Sequence, residues 1–269
     1  MNKYIFEIGN FKLEWYSALI IVAAMIGITM VLKEAKRYKY PTEFVFNMIF
    51  WAIIFGIIGA RAYYVLFNLE LYDSFWEACK IWEGGLAIHG GIIAGALVIL
   101  LYCKKYKVRS IRMLDFLAPA MLLAQAIGRW GNFFNSEAHG PATTLAHLQS
   151  LHIPEFIIKG MNIDEIYYTP TFLYESIWCL VGLFLLLIIR RLKITKVGQP
   201  FALYLMWYGL GRFIIEAMRT DSLMLGGFKM AQIVSVIMIF VGLIIIMITG
   251  RKGRYEDLYD QDENEVIRF

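Results

Sequence analysis

Residues 230–250 read MAQIVSVIMIFVGLIIIMITG, and residues 251–254 read RKGR. The first stretch holds no charged side chain and has the length, roughly 20 residues, that a helix needs to cross a hydrocarbon core. The second is a basic cluster of the kind that collects on the cytoplasmic side of a membrane. Working outward, residues 15–32, 44–60, 86–103 and 171–189 are further apolar runs. Residues 113–127 and 200–218 are also mostly apolar, but the former contains Asp115 and the latter Arg212 and Glu216. Basic patches follow every odd-numbered run, at 33–39, 104–112, 190–196 and 251–254, and together hold most of the 26 Lys and Arg residues. The alternation predicts an all-α integral membrane protein, a bundle of about seven transmembrane helices with the N-terminus outside and the C-terminus cytoplasmic.

Composition agrees with lipid as the solvent. Of 269 residues, 59% are hydrophobic and only 18% charged, against about a quarter charged in soluble domains. Nothing points to nucleic acid. Cys79, Cys103 and Cys179 have no CxxC spacing and form no closed disulfide framework. The polar start at residues 1–13 lacks the pattern of a cleaved leader, so the first apolar run reads as a retained span. Residues 1–254 read as a single transmembrane catalytic domain with an extracytoplasmic segment at 132–170, inside which 145–159 is a short surface helix. Residues 255–269 read as an acidic, mobile cytoplasmic tail.

Ionisable groups inside spans are expensive and mark function by default. On this topology Tyr16, Arg61, Tyr64, His89, Arg129, Asn132, Glu137, Tyr174, Glu175, Arg212, Glu216 and Arg219 all come to the outer ends of spans. Asp115 alone is placed at a cytoplasmic helix start, where the helix dipole accounts for a carboxylate. The outer cations are all arginines, whose planar fork matches phosphate oxygens. The bland alternative is a set of ion pairs such as Arg212–Glu216 and Arg61–Glu175, but the cations outnumber the carboxylates that would serve them. Tyr208, Arg212, Glu216 and Arg219 fall on one face of a helix. His89 is followed by Gly90 and Gly91, which allow a close approach of backbone or lipid, and imidazole suits proton transfer near neutrality. The densest segment is Gly128-Arg-Trp-Gly-Asn-Phe-Phe-Asn-Ser-Glu-Ala-His-Gly140, read as the point where the fourth span emerges.

These segments together resemble the bacterial phosphatidylglycerol–prolipoprotein diacylglyceryl transferase family. The family signature Gly-Arg-x-Gly-Asn-Phe-x-Asn-x-Glu-x-x-Gly is met at every fixed position from Gly128 to Gly140, including Asn132, Asn135 and Glu137. His89-Gly-Gly91, Trp15-Tyr16 and the Tyr208, Gly209, Arg212, Phe213, Glu216, Arg219 series match as well. Two departures stand out: Thr169 and Phe172 stand where many members have His and Gln, and Ala94 stands where some members have Gly. The resemblance implies an enzyme of the bacterial cell membrane, with no cofactor. It would move the diacylglyceryl group of phosphatidylglycerol to the lipobox cysteine of a preprolipoprotein signal peptide, releasing glycerol phosphate. On that reading His89, Arg129 and Arg212 are catalytic, His89 as base and the arginines as a phosphate clamp. Tyr16, Arg61, Asn132, Asn135, Glu137, Gly140, Tyr208, Glu216 and Arg219 bind the lipid or support the clamp, and Glu137 is an alternative base. A transporter would place such charges near midplane with broken helices. A metal-dependent phospholipid phosphotransferase would need an Asp-rich run, which no span has.

Overall fold

A computed structural model describes residues 3–8, 11–220, 223–251 and 258–259. The chain runs β1 (Tyr4–Ile8), β2 (Phe11–Glu14), α1 (Trp15–Arg37), α2 (Thr42–Leu66), α3 (Phe75–Ala78), α4 (Ile88–Lys105) and α5 (Ser110–Phe134). It continues through β3 (Ala142–Thr143), α6 (Leu145–Ser150), α7 (Glu155–Gly160), β4 (Asn162–Ile163), β5 (Ile166–Tyr168), α8 (Thr171–Ile189), α9 (Gln199–Met218), β6 (Met224–Leu225), β7 (Phe228–Lys229) and α10 (Met230–Gly250). Among the described residues six helices, α1, α2, α4, α5, α8 and α10, are long and apolar enough to cross a membrane. The chain is a mostly helical, multi-pass membrane protein.

Helices α8 and α10 have the bounds that the sequence predicts. Helix α5 is longer than its apolar run and takes in Arg112, Arg129 and Asn132 as well. Inside hydrocarbon only a helix satisfies all of its own backbone, so the coil continues past the last apolar residue until water or protein replaces its partners. The segment expected as one surface helix forms two, α6 and α7, parted by residues 151–154. Pro154 ends the link at the N-cap of α7, where its missing N–H costs nothing.

The chain divides into two compact units, one of Met1–Val31 with Leu114–Gln261 and one built on Leu32–Met113. In the second unit α2 and α4 touch backbone to backbone, and a Cβ added at Gly90 would lie 2.3 Å from the Gly59 carbonyl oxygen. Such close approach is what small residues give a membrane helix pair. In the first unit α8 and α9 are clasped by Trp178 and Trp207. Their rings stack at 4.4 Å, and each indole N–H donates to the other residue's carbonyl at 2.9 Å. Helices α9 and α10 pack alongside. Asp115 is fully buried and accepts from the backbone N–H groups of Gly198 at 2.6 Å and Phe201 at 2.9 Å. The carboxylate therefore serves the N-terminus of α9, and this corrects the expectation that the dipole of its own helix explains it. Of the tail expected at 255–269, only Leu258 and Tyr259 lie among the described residues. Tyr259 is buried, with its N–H on the Thr195 carbonyl at 2.7 Å and its ring edge-on to Phe116.

Candidate functional site

In the first unit, α5, α8 and α9 bring five charges into a series that alternates in sign. Arg129 meets Glu175 at 2.8 Å, Glu175 meets Arg212 at 3.0 Å, Arg212 meets Glu216 at 2.7 Å, and Glu216 lies 3.9 Å from Arg219. Each carboxylate serves two guanidiniums. Glu175 and Glu216 are both only 2% exposed, and a buried carboxylate is tolerated when cations and hydrogen bonds compensate its lost hydration. The series thus holds three guanidiniums and two carboxylates. Tyr208 points its hydroxyl at Glu175 from 3.5 Å and stacks on Tyr204, whose hydroxyl accepts from Gln125 at 3.0 Å. The helical spacing of Tyr208, Arg212 and Glu216 puts all three on one flank of α9, as the sequence predicts.

The signature segment supports the other end of this series. Arg129 and Asn132 stand in the last two turns of α5 rather than in a segment beyond it. Arg129 donates to Asn132 Oδ1 at 3.1 Å, and Asn132 Nδ2 donates to Glu137 at 2.9 Å. Asn135 Nδ2 reaches the same Glu137 oxygen at 3.4 Å. Glu137 thus gathers both asparagines, while its own N–H donates to the Asn132 carbonyl at 3.0 Å. The Tyr16 ring packs against Gly131, where an added Cβ would lie 2.3 Å from it. Gly140 donates its N–H to the Thr169 carbonyl at 2.9 Å, and the Thr171 hydroxyl donates to the Ala138 carbonyl at 2.7 Å. These bonds tie the end of the signature to the start of α8, four residues before Glu175. The β1–β2 hairpin lies near the same segment. Lys3 pairs with Glu14 at 3.0 Å, and that hydrogen bond raises its pKa above the ordinary lysine value, with a smaller contribution from Glu137.

The second unit carries Arg61 and His89. The Arg61 guanidinium donates to the carbonyls of Ala78 at 2.7 Å, Gly85 at 3.2 Å, Glu77 at 3.3 Å and also Gly84, and so holds the segment between α2 and α4. His89 is the second residue of α4, with its ring 6.3 Å from that of Tyr63. Sequence reasoning places Glu175 at the outer end of a span with the other polar groups but leaves it out of the site residues, yet it is the carboxylate that joins Arg129 to Arg212. The signal available was an acid in the first turn of an otherwise apolar span. Phe172, one of the positions where the resemblance noted above departs, is buried against Phe133 at 4.6 Å and Trp130 at 5.3 Å. An aromatic core thus occupies that position.

Comparison with known proteins adds the following. The sequence profile of the prolipoprotein diacylglyceryl transferase family matches residues 3–248. A phosphatidylglycerol–prolipoprotein diacylglyceryl transferase of Listeria welshimeri is 47% identical over 242 residues, which cover 89% of this chain and 87% of that one. The enzyme of that name in Staphylococcus saprophyticus is 43% identical over 253 residues, 93% of this chain and 90% of that one. The first such transferase of Clostridium perfringens is 45% identical over 255 residues, 94% of this chain and 97% of that one.

Proposed function

The chain belongs to the prolipoprotein diacylglyceryl transferase family, and from that premise we propose how it acts. It is a transferase of the bacterial cell membrane that moves the diacylglyceryl group of phosphatidylglycerol to a prolipoprotein, the first step of lipoprotein lipidation. The acceptor is the thiol of a lipobox cysteine in the signal peptide. The sulfur attacks the glyceryl carbon that bears the phosphate, a C–S bond forms, and the C–O bond breaks. Glycerol phosphate leaves with the electron pair. The observation that supports this best is the alternating series, which gathers the Arg129 and Arg212 guanidiniums around one buried carboxylate, because the phosphodiester is an anion and its leaving oxygen gains charge as the bond breaks. Arg129 and Arg212 hold the phosphate. Asn132, Glu137, Tyr208, Glu216 and Arg219 hold the arginines, Tyr16 and Asn135 line the lipid headgroup, and Gly140 keeps the signature segment in place. Arg61 contributes by ordering the segment beside it. The thiol proton goes to His89, assigned on the chemistry of its side chain.

For the topology, α9 is taken as a seventh span, with 20 residues and its charges near one end, and the basic patches put the N-terminus outside. The decisive assay supplies purified protein with phosphatidylglycerol vesicles and a lipobox peptide. The expected product is a thioether-linked diacylglyceryl peptide with one glycerol phosphate released per turnover. A folded preparation that binds the lipid and forms no thioether would overturn the reading. His89→Gln keeps a hydrogen-bonding side chain without a usable base. A loss of about 10²-fold in turnover at unchanged melting temperature is expected, and turnover within a few-fold of wild type would move the base elsewhere, with Glu137 next.

A further inference from the structure

Helix α9 ends at Met218, and Arg219 leaves it with an extended backbone, φ −78° and ψ 142°. The carbonyls of a helix's last turn have no N–H partners within the helix. At α9 one side chain fills much of that gap. Lys229, the residue before α10, places Nζ 2.7 Å from the Glu216 carbonyl oxygen, 3.3 Å from that of Ala217 and 2.7 Å from that of Arg219. An ammonium has three hydrogens, and here each has a backbone carbonyl to meet. The positive charge also sits at the negative end of the α9 dipole. Two of those three carbonyls belong to Glu216 and Arg219, whose side chains close the alternating series. The contact therefore fixes the backbone from which the end of the clamp projects.

We propose that Lys229 is a positioning residue of the transfer reaction. By capping α9 it sets Glu216 and Arg219, and through Glu216 the Arg212 guanidinium, in the arrangement that holds the phosphate. The inference rests on the phosphate-clamp reading above. Lys196 supplies an internal comparison, because it donates to the Gly250 carbonyl at 2.9 Å and so makes the same kind of contact at the opposite end of α10.

The test uses the full chain in phosphatidylglycerol vesicles with a lipobox peptide, and rates are taken per folded protein. Lys229→Met keeps the apolar stem and removes the donors. It is expected to lower kcat by about tenfold or more while KM for the lipid moves by less than about threefold, the pattern of a lost transition-state interaction. Lys229→Arg, which keeps charge and donors, recovers most of that loss. Lys196→Met leaves kcat at the wild-type value. Combined with Arg219→Met, the Lys229→Met change adds less than about threefold, because residues acting as one unit are not additive. The proposal is overturned if Lys229→Met costs only folded fraction, or if its loss adds in full to that of Arg219→Met. Arg212→Lys at the wild-type rate would instead overturn the clamp itself, and a reduced Arg212→Lys beside a normal Lys229→Met would overturn the positioning role alone.

Discussion

Two guanidiniums reach the Glu175 carboxylate, at 2.8 and 3.0 Å, from helices on either side. Neutralising it leaves two cations facing each other with nothing between, and breaking a buried ion pair from one side costs about 3–5 kcal/mol when both groups are sealed from water. The arginines keep some solvent contact, so Glu175→Gln is expected to lower the melting temperature moderately and the turnover by at least about tenfold. A variant with native melting and native rate would remove Glu175 from the site. Arg129→Lys and Arg212→Lys keep the charge but lose the planar fork, and each should cost at least tenfold in rate, about 1.4 kcal/mol. Near-normal turnover in both would show that charge alone suffices. At this scale the sequence exposes Arg129, Arg212, Glu216 and Tyr208 clearly, because ionisable and polar groups stand out in apolar runs. It leaves Glu175 out of the site, since span position gives depth in the membrane but not direction around the helix. Which arginine at a given level a carboxylate meets is decided by helix packing.

The junction of α8 and α9 is made by a fit between indoles and glycines. A Cβ at Gly182 would lie 2.3 Å from Trp207, and overpacking of that kind costs typically 1–3 kcal/mol. Gly182→Ala should therefore melt earlier, with activity falling only as the folded fraction falls. A disproportionate loss of rate in protein that is still folded would mean that the junction also tunes the site. None of this fit is legible in the sequence, because it pairs residues of two helices. The bounds of α8 and α10 are legible, since hydropathy changes abruptly at their ends. Those of α5 are not, because polar residues of this helix at both ends are satisfied by protein partners, as Asp115 is by the backbone of α9.

Orientation across the bilayer is a property of charge distribution rather than of packing, and the four basic patches supply the proposal for it before any contact is known. The native cysteines offer a direct check. Cys79 is exposed in the segment between α2 and α4, while Cys103 and Cys179 are buried. A membrane-impermeant maleimide should label Cys79 in intact cells, and a cysteine introduced at 104–112 in a chain lacking Cys79 should stay unlabelled until the cells are opened. The reverse pattern would invert the proposed topology. Finally, the alternation of sign from Arg129 to Arg219 constrains descent. Because Glu175 and Glu216 are each shared by two arginines, and Arg212 by two carboxylates, no inner member can lose its charge without stranding neighbours on both sides. A mutational walk through single neutral steps is closed at these positions. A lineage under selection for the reaction can leave them only by compensated, concerted exchange.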